Sequence, residues 1–143
     1  MAAPGAQEVD PRADRAVQTI LGVVLLAAFV FRVPWFLPVV ALMTAAGALG
    51  GVERNPLYLG YDRLVAPRLG PQATAPGLPA ATVRRQDALA AGLVSVASIL
   101  YVFGAHTIGW TAAVIEAVIA IVAATTRIHV AEYVRRPRRG HAG

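Results

Sequence analysis

Four apolar runs, at residues 16–31, 34–51, 88–103 and 110–126, each about 16 to 18 residues long, decide what this chain can fold into. Wound as a helix at about 1.5 Å per residue, such a run reaches about 25 Å, and its flanks complete the crossing of a hydrocarbon core about 30 Å thick. The chain is 57% hydrophobic and 15% charged, with a mean hydropathy of +0.58, whereas a soluble domain carries about 25% charged residues. A bilayer is therefore the expected solvent. The expected fold is all-α: a four-transmembrane-helix bundle made of two helical hairpins.

The first run follows a leader containing Asp10, Arg12, Asp14 and Arg15. Its length, the acidic groups before it and the second run close behind mark a spanning helix rather than a cleaved signal. Arg32 and Val33 alone separate the first two runs, and Pro34 stands where a helix tolerates proline best, in its first turn. Residues 104–109 make the second turn with Gly104 and Gly109. Phe31 and Phe103 end the first and third runs, and Trp35 and Trp110 open the second and fourth, as interfacial rings do. These matched positions point to a parallel internal repeat.

Arginine sets the orientation. Two arginines precede the first run, five lie in the central loop and five follow the fourth run, with Arg32 alone on the opposite side. The positive-inside bias places both termini and the loop in the cytoplasm of a multi-pass plasma-membrane protein. The expected division is a cytoplasmic segment at 1–15, hairpins at 16–51 and 88–126, a Pro/Arg-rich loop at 52–87 and a basic tail at 127–143. Within the loop, Leu57, Tyr61, Leu64, Val65 and Leu69 fall at helical spacing, predicting a short interfacial helix ended by Pro67.

Two stretches carry a resemblance. They are Val9-Asp10-Pro11-Arg12 and the loop element from Tyr61 through Asp62, Arg63, Leu64, Val65, Ala66, Pro67, Arg68, Leu69 and Gly70 to Pro71. With the four-run plan and the length, they make residues 8 to 134 resemble the DUF4395 family, small bacterial integral membrane proteins of undefined activity, frequent in actinobacteria. The resemblance implies a cysteine pair before a Glu and Tyr, and a link to thiol or sulfur transfer. Here Glu132 and Tyr133 are present and the chain has no cysteine.

Without cysteine there are no disulfides, thiolate nucleophiles or sulfur-built metal sites. Ser95 and Ser98, the only serines, both fall in the third run, so no hydrolase triad is expected, and the chain reads as a non-enzyme. His129 and Glu132 stand three apart but lack further ligands; no metal and no cofactor are expected. Glu116, inside the fourth run, is the intramembrane polar candidate, with Ser95, Ser98, Thr44 or Thr111 to satisfy it; a buried charge there is costly and faces a partner or a cavity. Asp10, Pro11 and Arg12 read as a capping turn, or as one half of a cytoplasmic site completed by Tyr61, Pro67, Arg68, Gly70 and Pro71. Arg135, Arg136, Arg138 and Arg139 form a lipid-facing tail suited to anionic lipid, at about 1 kcal/mol per charge. Small-residue pairs such as Gly47 and Gly51 allow close helix packing and homo-oligomerisation. The arginines cluster at run ends rather than along one face, which argues against nucleic acid. The expected function is an accessory or structural membrane subunit that binds lipid or a membrane or cytoplasmic protein through its loop and tail. The alternatives are a small oligomeric transporter or channel using Glu116, or a membrane component of sulfur transfer.

Overall fold

Asp10 starts the first helix: its carboxylate accepts the backbone N–H of Arg12 at 2.8 Å, and Pro11 fills the first helical position. Asn55 and Pro56 repeat the device for the loop helix, Asn55 Oδ1 accepting the N–H of Leu57 at 3.0 Å. A computed structural model describes residues 8–70 and 77–126. Among these are six helices: α1 (Pro11–Val30), α2 (Phe36–Gly50), α3 (Pro56–Leu64), α4 (Ala66–Leu69), α5 (Ala80–Val102) and α6 (His106–Thr126), with a 3₁₀ turn at Val52–Arg54. Glu8–Val9 (β1) pairs antiparallel with Leu78–Pro79 (β2), Glu8 opposite Pro79 and Val9 opposite Leu78, and this clip brings the starts of α1 and α5 together.

The described residues are all-α apart from that clip, and among them α1 and α6, of 20 and 21 residues, are long and apolar enough to cross a membrane. α2 is apolar but has 15 residues, and α5 carries Arg84, Arg85 and Asp87 in its first turns. Both α1 and α5 begin earlier than their apolar runs, because polar turns, capped by Asp10 in α1 and led in by the β2 clip in α5, continue the helix below the hydrophobic stretch. α1 packs along α6, α2 along α5, and α5 against α6, while α1 and α2 touch little despite their short connection. Each hairpin's first helix thus lies against the other hairpin's second helix. Alanines at 90, 97, 113, 117 and 120 line the contact with Leu21, Leu25, Leu37 and Val94. At Gly22 a Cβ would sit 2.6 Å from Ile121 Cγ1 and 3.1 Å from the Ala117 carbonyl, so only glycine lets α1 approach α6 there. Outward faces remain apolar on all four long helices, with Val23, Leu42, Leu49, Val96, Ile99, Val118 and Val122 exposed.

Both hairpin turns close by the same bonds. Arg32 N–H reaches Phe29 O and Val33 N–H reaches Ala28 O; Gly104 N–H reaches Tyr101 O and Ala105 N–H reaches Leu100 O. Each is a Schellman motif, with Arg32 at φ 55° where its counterpart is Gly104 at φ 87°. Gly104 has no neighbour near a Cβ, so Gly104→Ala isolates the left-handed cost and should destabilise by about 1 kcal/mol, read by thermal unfolding in detergent. Arg32→Gly removes the same strain but also the guanidinium 5.2 Å over the Phe29 ring, and should change stability less. Equal losses at both positions would contradict the shared motif.

Three expectations are corrected. Trp110 is 4% exposed, edge-on to Phe29 and Tyr101 at 5.7 Å; it is a core residue, because the turn of α5 into α6 adds residues before it, while Trp35, Phe31 and Phe103 are exposed. Pro67 does not end the loop helix: α3 stops at Leu64 and Pro67 stands in the first turn of α4, a position that needs no N–H. Tyr61 is buried with Tyr58, Val9, Ala13, Val17 and Val83, since α3 docks on the bundle by its tyrosine face. Among the described residues of the loop, Leu59, Leu64, Val65 and Leu69 are the exposed large apolar side chains.

Candidate functional site

Where α3 docks, the bundle interior is polar. Asp14 and Gln18 of α1, Asn55 and Tyr58 of the loop, Thr82, Gln86 and Asp87 of α5, Thr44 of α2 and Glu116 of α6 are all buried. The spacing of Asp14, Val17, Gln18, Leu21 and Leu25 puts them on one face of α1, which enters the core. Tyr58 Oη donates to Asp14 Oδ1 at 2.8 Å, and Asn55 Nδ2 donates to Asp87 Oδ2 at 2.9 Å. Gly47 makes room for the second pair: a Cβ there would overlap Asp87 Oδ2 and lie 2.8 Å from Asn55 Nδ2. This glycine admits a carboxylate rather than a neighbouring backbone.

Burial, then the negative charges of Asp14 and Asp87, push the Tyr58 phenol far above its ordinary value. Asp87 stands one residue before the third apolar run. Burial pushes its carboxyl up to about 7, with the Asn55 hydrogen bond pulling the other way and the charge of Asp14 adding to the rise. Glu116 lies midway along α6, 1% exposed, within electrostatic reach of Asp87. Its Oε2 has no hydrogen-bond partner among the described residues, and neither has Gln18 Oε1. The hydroxyls named for it in the sequence turn elsewhere: Thr44 donates to Val40 O and Ala41 O, and Thr111 to Thr107 O. Ser95 is half-buried, and Ser98 Oγ is buried with no hydrogen-bond partner among the described residues. Ser98 lines a cavity of about 320 Å³ at the turn end, with Tyr101 and His106. Among the described residues no three His, Asp or Glu side chains are placed to hold a metal ion.

The two motifs meet at the loop end. Asp10 and Asp62 line one pocket of about 270 Å³ with Glu8, Glu53 and Tyr58. Arg12 pairs with its own neighbour, Arg12 Nη2 lying 3.2 Å from Asp10 Oδ2. Pro11 is part of the half-buried cap; Pro67, Arg68 and Gly70 are exposed and do not join the polar interior. Pro71, Arg135, Arg136, Arg138, Arg139, His129, Glu132 and Tyr133 lie outside the described residues.

The family model described as a domain of unknown function, DUF4395, matches residues 9–131. The chain belongs to the DUF4395 family. No curated protein and no solved structure matches it significantly. In this DUF4395 protein the matched span takes in both motifs and the whole polar interior. Glu116 was recognisable in the sequence as a lone acid inside an apolar run. Nothing in the composition marks out Asp87, Asn55, Tyr58 or Gln18, and Asp14 stands in the sequence as one of the charged groups before the first run. The usable signal was the helical spacing of Asp14 and Gln18 with Val17 and Leu21.

Proposed function

We propose that this protein is a four-span membrane bundle, with its termini and loop on the cytoplasmic side, that carries protons through its interior by way of Glu116. The observation behind the reading is the buried series of acidic side chains on three different helices, Asp14, Asp87 and Glu116, running from the docked loop to the middle of α6. Acidic groups gathered away from water and within each other's field titrate as a unit and exchange protons singly. An ionisable group at membrane depth is a functional site by default. The exposed apolar faces of α2 and α5 support four spans rather than two, since a soluble bundle would present polar residues there.

The accessory-subunit reading relies on the loop as a platform for lipid or a partner. Tyr58 and Tyr61 are instead spent on the bundle, and the exposed remainder, Leu64, Val65 and Leu69 beside Arg63 and Arg68, suits contact with the bilayer surface. The loop is better read as a cap on the polar interior. Sulfur transfer has no thiol to work with in this chain.

The test is dye-reported proton uptake by proteoliposomes under an imposed potassium diffusion potential. Wild-type protein should acidify the lumen well above empty vesicles, and Glu116→Gln, close in size and still folded, should fall to the empty-vesicle rate. Equal rates for variant and wild type would sink the proposal.

A further inference from the structure

We propose that the pocket between the N-terminal turn and α3 is the cytoplasmic proton entry, and that Tyr58 passes protons from it to Asp14. The inference rests on the proton-carrying reading and adds its route. Glu8, Asp10, Glu53 and Asp62 surround the pocket of about 270 Å³, and acidic groups at a mouth raise the local concentration of cations, protons among them. Tyr58 lines this pocket and is 1% exposed, and its hydroxyl already donates to the interior carboxylate of Asp14 at 2.8 Å. The residue therefore stands between the pocket and the first acidic group inside the bundle.

The step balances without an ionised tyrosine. As the Tyr58 O–H bond breaks and its proton joins Asp14 Oδ1, Tyr58 Oη takes a proton from a hydronium drawn to the pocket, which is left as water. Tyr58 is neutral before and after, and Asp14 has gained one proton. The groups facing this pair are Gln18 on α1 and Asp87 on α5, and Asp87 in turn meets Asn55 on the loop and Glu116 on α6. Asp87 lies in the field of Asp14, and Glu116 in that of Asp87, which sets the order of the groups along the route and leaves its direction to the imposed gradient. The two orphaned acceptors, Gln18 Oε1 and Glu116 Oε2, are each on a side chain 1% exposed, and they call for a donor: a proton, or the water that carries one.

Infrared spectroscopy of the reconstituted protein in deuterium oxide reads the route apart from net flux. The protonated Glu116 carboxyl stretch is assigned by its loss in Glu116→Gln, and its deuterium exchange rate is followed. Tyr58→Phe keeps the ring, and Asp14→Asn keeps an acceptor for the Tyr58 hydroxyl while removing the proton carrier. Each should slow exchange at Glu116 by about ten-fold or more. Wild-type exchange in Asp14→Asn would overturn the entry route while leaving transport through Glu116 standing. If Tyr58→Phe fails to fold, Asp14→Asn decides. A wild-type spectrum with no exchangeable Glu116 band would overturn both.

Discussion

Gly47→Ala should weaken the fold by about 2 to 3 kcal/mol, although alanine is ordinarily the better helix former by up to about 1 kcal/mol. The new methyl would occupy the place of Asp87 Oδ2 and press on Asn55 Nδ2. Asp87 would have to leave its rotamer and give up its bond to Asn55, and no water is at hand to replace it, since Asp87 is 2% exposed and Asn55 fully buried. The loop would come loose first, because Asn55 is where it enters α3. The check is a double-mutant cycle by thermal unfolding in detergent. Asp87→Ala removes the atom that the methyl strikes, so the pair should be less damaging than the sum of the single changes, with a coupling of about 1 to 2 kcal/mol. Strict additivity would mean that Gly47 matters for some reason other than room for this carboxylate.

Asn55→Ala should cost about 3 kcal/mol at neutral pH. About 1 kcal/mol is the lost helix cap, and the rest is a buried hydrogen bond to an acidic group. The pH dependence separates the two. The Asp87 carboxyl stands at about 7 in the fold against an ordinary 3.8. Its contribution is therefore most favourable below the ordinary value and declines as pH rises toward 7. The Asn55 bond favours the charged form, so its removal carries the decline to higher pH. The penalty of Asn55→Ala should be larger at pH 8 than at pH 6. A penalty that does not vary across that range would leave the cap as the only role of Asn55.

The interiors of the long helices were legible because a hydrophobic run reports burial whatever surrounds it. The start of α1 was legible too, in the Asp10 cap, but that of α5 was not, since Arg84 to Asp87 look like loop in a hydropathy reading yet continue the helix. Hydropathy marks where apolar surface ends, whereas caps such as Asp10 mark where a helix starts. Glu116 stood out for its contrast with its neighbours. Asp14 and Asp87 had no such contrast, being acidic residues in acidic and basic company. Their significance lies in partners 44 residues away, for Tyr58 and Asp14, and 32 residues away, for Asn55 and Asp87. Only the docking of α3 brings those positions together. Trp110 shows the opposite error: a turn-end tryptophan resembles an interfacial anchor until the path of the turn carries it inward to Phe29 and Tyr101.

The exchanged pairing of the hairpins bears on how such a chain is made. When α1 and α2 have emerged from the ribosome, neither has its principal neighbour, because α6 and α5 are still to be synthesised. Tyr58 of α3 follows soon enough to meet Asp14, but the Leu21 and Leu25 stretch of α1 must wait for a helix encoded near the other end of the matched region. Assembly is therefore late and all at once, and each half of the chain serves as the scaffold on which the other becomes a folded object.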